Sequence, residues 1–218
     1  MVLAAGVGSR LKPLTDASPK ALIEVKGKTM LELVLSRLIA AGVTEVIVNV
    51  FHLGGQIEAF LKARKHFGIR VEVSREDVLL DTGGGLKKAS WFFDDGKPFF
   101  VHNVDVLSDI DLRKLHRFHC DHQALATLAV MERETKRGLK FDAAGVLKGR
   151  DPAGSAFCGI HVVSPAIFPK LTETGVFPIV DAYIRLAGQG ERIQAYRADG
   201  ATWRDIGGLE KLEEARRL

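Results

Sequence analysis

Between residues 1 and 103 the hydrophobic period of the chain switches repeatedly between two and 3.6, and that alternation limits the folds open to it. Residues 1–5, Glu45–Val50 (EVIVNV), Arg70–Ser74 and Pro98–Asn103 are short apolar runs of strand length. Over Met30–Ala41, apolar Leu31, Val34, Leu35, Leu38 and Ile39 recur at helical spacing, with Gly42 as a stop signal. Gly55–His66 places Ile57, Phe60 and Leu61 on one helical face, and Leu86–Phe93 reads as a further helix. Asp77–Gly85, with three consecutive glycines, reads as a loop. Strands alternating with helices predict an α/β fold, a doubly wound, mostly parallel, Rossmann-like mixed sheet flanked by helices on both sides. Ligands bind such sheets at the carboxyl ends of the strands. The Gly-rich turn after residue 5, the Gly83–Gly85 loop and the Asn103-Val104-Asp105 segment are therefore expected on one rim.

Beyond Asp105 the rhythm changes. Helices are expected over Leu112–Cys120 and Pro178–Ala187 and from Leu209 onward. Strands are expected over Ala124–Met131, Leu139–Phe141, Val146–Lys148, Ala156–Val163, Ile193–Tyr196 and Thr202–Arg204. This half reads as a substrate-binding annex on the same sheet. At 218 residues the chain suffices for one domain with such an annex. Its 31 Lys and Arg are interleaved with 27 Asp and Glu. With no basic stripe, the excess suits anionic small molecules rather than nucleic acid. Cys120 and Cys158 form no CxxC pair, which argues against a disulfide framework or a zinc site and for a reducing cytoplasm. No apolar run approaches the roughly 20 residues that span a bilayer. The apolar start is too short for a signal peptide, and it begins so near the first strand that a residue or two is expected ahead of Met1. His116, His119 and His122 lack metal-ligand spacing and read as surface or cap residues.

The chemistry concentrates first in Leu3-Ala4-Ala5-Gly6-Val7-Gly8-Ser9-Arg10-Leu11, followed by Pro19-Lys20. Glycines two apart let backbone N–H groups approach phosphate oxygens, and Arg10 supplies fixed positive charge. A dinucleotide fingerprint needs a third glycine where Leu11 stands and an immediate helix where Pro13 falls. No GK[ST] triplet follows, so the loop is not a Walker A motif either. An extended phosphate loop with its own arginine fits. Asn103 and Asp105, two apart at a strand end, share a face. A carboxylate there suits Mg²⁺, although a turn or helix cap is the alternative, with Ser108 and Asp109 the better caps for the helix from Leu112. Asp205, in Trp203-Arg204-Asp205-Ile206-Gly207, offers a second carboxylate with the same alternative. In Leu80-Asp81-Thr82-Gly83-Gly84-Gly85 the main chain is open enough to lie against a planar base, or the loop is simply flexible.

Taken together these segments resemble the sugar-phosphate nucleotidyltransferases. LAAGVGSRLKPLT with PKAL is similar to their signature loop. NVDVLSD resembles the metal-binding strand end, AFCGIHVVSPAIF the sugar-contacting strand, and TWRDIGGLEKLEEA the second metal motif. The LDTGGGLKKA segment and the short length resemble the N-acetylmuramate-1-phosphate uridylyltransferase branch. The resemblance implies a glycosyltransferase-A-like fold in one domain over 1–218, with 1–105 holding nucleotide and 106–218 holding sugar phosphate. It implies Arg10 and Lys20 as catalytic cations and Leu3, Ala4, Ala5, Gly6, Gly8, Ser9, Thr82 and Gly83 as nucleotide contacts. Asn103, Gly138 and Gly159 fall near the sugar phosphate, and Asp105 and Asp205 on Mg²⁺. The implied partners are a nucleoside triphosphate and a sugar 1-phosphate, without nucleic acid or membrane. The setting is cytoplasmic nucleotide-sugar synthesis for the cell wall by a monomer or small homo-oligomer. Val104 replaces the glycine common in the family. The acidic-Lys-Pro segment of many hexose-specific members is absent, and there is no room for the C-terminal domain of longer ones. Guanylyl transfer to mannose or another hexose 1-phosphate, thymidylyl transfer, an inactive nucleotide-sugar sensor and, more distantly, a dinucleotide-dependent oxidoreductase are the alternatives.

Overall fold

The structure, a computed structural model, describes residues 1–217. In chain order its strands and α-helices are β1 (Val2–Leu3), α1 (Leu14–Ala17), β2 (Glu24–Val25), β3 (Lys28–Thr29), α2 (Met30–Ala40), β4 (Glu45–Val50), α3 (Gly54–Ala63), β5 (Arg70–Arg75) and α4 (Asp81–Lys88). They continue with β6 (Phe99–Asn103), β7 (Val106–Ser108), α5 (Leu112–His122), β8 (Ala126–Met131), β9 (Leu139–Phe141), β10 (Leu147–Arg150), β11 (Ala156–Val163), α6 (Ile179–Gly188), β12 (Ile193–Arg197), β13 (Trp203–Asp205) and α7 (Leu209–Arg217). The chain divides into two compact units, one of residues 1–79, 102–108 and 203–217, the other of 80–101 and 109–202.

In the first unit the strands run from the His102–Asn103 end of β6 through β1 and β4 to β5, all neighbours parallel, with Leu3 level with both Asn49 and Asn103. After the exposed Glu45, β4 is apolar except for Asn49, and Val46–Val50 are all buried, as expected of a parallel strand covered on both faces. β1 is only two residues long. α2 is delimited by side-chain and glycine signals. Thr29 accepts a hydrogen bond from the Glu32 N–H at 3.1 Å. At the far end Gly42 takes φ +100° while the N–H groups of Gly42 and Val43 bond to the carbonyls of Ile39 and Leu38. β7 and β13 form an antiparallel ribbon in which Asp205 lies opposite Val106.

In the second unit β12 pairs parallel and β11 antiparallel with β8, whose six residues are all buried. The strands are thus mixed and mostly parallel, with helices alongside, as the hydrophobic pattern predicts. Three local expectations are corrected. Residues 81–85 are the first turns of α4 rather than loop, because close packing rather than helix propensity holds the glycines there. Asp111, not Ser108 or Asp109, caps α5 by accepting from the Lys114 N–H at 3.0 Å; Asp109 instead accepts from the Thr202 N–H at 2.7 Å. His119 is buried, with Nδ1 2.9 Å from Thr127 Oγ1. Burial pushes the pKa of His119 down to about 4, mainly because the charged form is desolvated there.

Candidate active site

The parallel strands of the first unit end together, and the glycine loop leaves β1 at that carboxyl edge. No long helix follows it. A 3₁₀ turn, Ser9–Leu11, and the single turn of α1 follow, in keeping with Leu11 and Pro13 excluding a dinucleotide fold. Leu11 is fully buried and anchors the loop, while Gly6, Val7, Ser9 and Arg10 are exposed. Ala4 and Ala5 are buried just below them, and Leu3 is partly so.

Gly8 is glycine for two reasons. Its φ is +66°, and a Cβ there would lie 2.8 Å from Thr15 Cγ2 and 3.1 Å from Lys20 Cβ. The Gly8 carbonyl accepts from Leu11 N–H at 2.8 Å and from Thr15 Oγ1 at 2.9 Å, which fixes the bend. The same packing brings the loop onto the stem of Lys20. Lys20 is buried in its own 3₁₀ turn after Pro19, and its Nζ forms an ion pair with Asp105 Oδ2. Asp105 stands two residues past β6 in the turn to β7, with Val104 buried between it and Asn103. Asn103 and Asp105 are both partly exposed, but Asp105 lies in a turn beyond the end of β6, so strand alternation does not set its direction relative to Asn103.

The β7–β13 ribbon brings in Asp205. The Ile206 N–H donates to the Asp105 carbonyl at 2.8 Å, so the two carboxylates rise from neighbouring backbones. Asp205 Oδ2 lies 3.1 Å from Lys211 Nζ on α7. Its Oδ1 and Arg10 Nη2 each lie 2.8 Å from where a Cβ on Gly207 would stand, so they are at most twice that distance apart. Gly207 therefore makes room for a guanidinium beside a carboxylate. Arg10, Lys20, Asp105 and Asp205, some two hundred residues apart in sequence, converge in one unit as three cations, with Lys211, around two carboxylates. Gly207 and Lys211 were not singled out by sequence reasoning, although both lie within the quoted TWRDIGGLEKLEEA motif.

Two carboxylates are a donor set of the kind Mg²⁺ takes. Among the described residues no group of three or more His, Cys, Asp or Glu could cage a metal ion. Mg²⁺ binds through one or two carboxylates and completes its shell with water and phosphate oxygens. The chemistry of Asp105 and Asp205 fits that ion.

The remaining sequence-designated residues lie in the second unit. Thr82 Oγ1 accepts from the Ile179 N–H at 3.0 Å at the start of α6. Gly83 donates its N–H to the Phe177 carbonyl at 2.9 Å, and a Cβ on it would sit 2.3 Å from the Phe177 ring. A Cβ on Gly138 would meet the Asp151 carbonyl at 2.1 Å. Gly159 has φ +72° within the register shift between Phe157 and His161.

The sequence matches the nucleotidyl transferase family over residues 1–145. The chain belongs to this family. It is 33% identical to an N-acetylmuramate alpha-1-phosphate uridylyltransferase of Caulobacter vibrioides, over 95% of this chain and 90% of that protein. It is 32% identical to the mannose-1-phosphate guanylyltransferase catalytic subunit beta of Drosophila melanogaster, over 95% of this chain and 58% of the other. Its fold superimposes on a UDP-glucose pyrophosphorylase complexed with UDP-glucose with a TM-score of 0.82 at 20% identity, covering 99% and 96% of the two chains. Family membership makes the chain an enzyme, of the sugar-1-phosphate nucleotidyltransferase class. Among the described residues no helix is long and apolar enough to cross a membrane.

Proposed function

We propose that the enzyme transfers a uridylyl group from UTP to N-acetylmuramate 1-phosphate or a closely related sugar 1-phosphate. The observation that carries the reading is the convergence of the Gly8–Arg10 loop with Lys20 against Asp105 and with Asp205 between Arg10 and Lys211. The choice of substrates follows the similarity to the uridylyltransferase. A phosphate oxygen of the sugar 1-phosphate attacks the α-phosphorus in line. The bond from that phosphorus to the α–β bridging oxygen breaks, and pyrophosphate leaves with the electron pair. No covalent enzyme intermediate is needed, so the protein contributes positioning and charge.

Arg10, exposed at the loop tip, and Lys20, held beneath the loop, offset the charge that gathers on the phosphates. Asp105 and Asp205 would hold Mg²⁺, which supplies Lewis-acid charge to phosphate oxygens when bound. Ala4, Ala5 and Gly6 with Leu3 form the floor for the nucleoside, and Gly8 and Ser9 present backbone to the phosphates. By resemblance, Thr82 and Gly83 serve the base or ribose, and Asn103, Gly138 and Gly159 serve the sugar phosphate. A cytoplasmic setting belongs to the same reading, supported by the lack of a disulfide-forming cysteine pattern in the sequence. A second reading, guanylyl transfer to mannose 1-phosphate, is favoured by the 32% identity to the guanylyltransferase.

The test is pyrophosphate release with each of four nucleoside triphosphates against N-acetylmuramate, mannose and glucose 1-phosphates, with Mg²⁺ and with chelator. The expected result is fastest release from UTP with N-acetylmuramate 1-phosphate, abolished by chelation and restored by Mg²⁺. Fastest release from GTP with mannose 1-phosphate would favour the second reading. Nucleotide binding without turnover on any pair would point to a sensing domain instead.

A further inference from the structure

At the point where β1 becomes the glycine loop, the ladder between β1 and β4 gives way to a side chain. The Ala4 N–H donates to Asn49 Oδ1 at 2.7 Å, a buried bond between residues 45 apart. Asn49 then donates through Nδ2 to Glu76 Oε1, also at 2.7 Å. Asn49 and Glu76 are 3% and 6% exposed, so water does not compete for these bonds. Glu76 is held at its backbone too, where its N–H bonds to the Val50 carbonyl at 2.8 Å just beyond β5. The residue at 49 therefore stands level with Leu3 on one side and Ser74 on the other, and its amide spans the ends of three strands.

The polarity of this chain of bonds is fixed. A backbone N–H can only donate, so the amide oxygen of Asn49 must face Ala4. The amide nitrogen is thereby turned toward residue 76, which must accept. Aspartate at 49 has nearly the same shape and would still accept from Ala4, but it would set a carboxylate oxygen against Glu76 Oε1. Glutamine at 76 would turn that clash into a donor–acceptor pair. A polar triad this specific, in a strand that after Glu45 is otherwise Val and Ile, costs desolvation that an apolar residue would avoid.

We propose that Asn49 and Glu76 are positioning residues for the nucleotide: they set the place of Ala4, and through it the Ala4–Gly6 floor of the loop. This rests on the nucleotide-site reading of the loop given above. Neither residue needs to touch substrate. The consequence is a selective one, since a displaced floor weakens the nucleoside triphosphate and leaves the sugar 1-phosphate unaffected.

The test compares wild type, Asn49→Asp, Glu76→Gln and the double variant. UTP and GTP affinities, KM for each substrate, melting temperature and amide hydrogen exchange of the peptide containing Ala4–Gly6 are measured. Asn49→Asp is expected to raise the KM for the nucleotide at least about tenfold, the scale of one disrupted buried hydrogen bond, and to speed exchange of the loop peptide. The KM for sugar 1-phosphate is expected to stay within about twofold. In the Glu76→Gln background the same change is expected to cost less than about threefold, because the introduced side-chain amide donates where the carboxylate of Glu76 repelled. A folded Asn49→Asp protein with wild-type nucleotide KM and exchange would overturn the proposal, and so would equal losses in both backgrounds. If wild type neither binds UTP or GTP nor releases pyrophosphate, the nucleotide reading itself fails. The exchange data then still decide whether the latch sets the loop.

Discussion

Two glycine-rich segments serve opposite ends in this molecule. Gly6 and Gly8 belong to an exposed loop. Nothing lies within 4 Å of a Cβ on Gly6, and Gly8 bends the chain over Lys20. Gly83 and Gly84 are buried in α4, where a Cβ would run into Phe177 and the Gly175 carbonyl at 2.3 and 2.4 Å. In the first segment the absent side chain of Gly6 leaves main chain uncovered. In the second the absent side chains let a helix pack against a neighbouring backbone. Glycine density alone does not distinguish access from packing; what surrounds the missing Cβ does.

The sharpest separation is expected at the open segment. Arg10→Ala removes an exposed cation that no described packing depends on. It should lower pyrophosphate release on the order of 10²–10³-fold, the scale of one lost charge-stabilising contact, with an unchanged melting temperature. Gly207→Ala should act in the same direction by pushing Arg10 and Asp205 apart. A loss of up to about 10²-fold is expected, mostly in kcat, as for a displacement of about 1 Å. At the packed segment the order reverses. Gly84→Ala should destabilise by about 1–3 kcal/mol through overpacking, lowering the melting temperature by about 2–4 °C per kcal/mol. Gly6→Ala should change stability by no more than about 0.5 kcal/mol, and any effect should appear in the KM for nucleotide. If Gly84→Ala left stability intact and Gly6→Ala unfolded the protein, the contrast would collapse.

The smallest effect is a pH slope. Burial lowers the pKa of both His102 and His119 from 6.5 to about 4; His102 also faces Arg37, which acts in the same direction. Between those pH values the unfolded chain binds the protons that the folded chain refuses. Stability is therefore full above pH 6.5 and falls as pH drops toward 4, by at most about 1.4 kcal/mol per pH unit for each histidine. Chemical denaturation from pH 7 to pH 5 checks this, and replacing His119 with Gln should reduce the slope.

Much of this was legible in the residues. EVIVNV read as a strand because it is a short apolar run of strand length. α2 announced its ends through its helical spacing and Gly42, and Leu11 and Pro13 were enough to exclude a dinucleotide loop. What escaped was set by tertiary contact. Gly83–Gly85 read as loop because glycine disfavours helices, yet Phe177 and Gly175 hold it in one. His119 read as surface, but its position on α5 turns it toward Thr127. Lys211, Gly207 and the Asn49–Glu76 pair depend on which strands and turns meet, and spacing does not encode that. One signal was available, the single polar residue in the otherwise apolar run that follows Glu45.

Asp105 is a demanding place to test the account, because removing it also strands the buried Lys20 ammonium without its partner. Asp205 is cleaner, since its partner Lys211 is about half exposed and loses little when the carboxylate goes. The decisive measurement is Mg²⁺-dependent pyrophosphate release by Asp205→Asn alongside its melting curve. The expected result is a fall on the order of 10²–10³-fold with the melting temperature held. Wild-type release at every Mg²⁺ concentration would contradict the assignment of this carboxylate pair to the reacting phosphates.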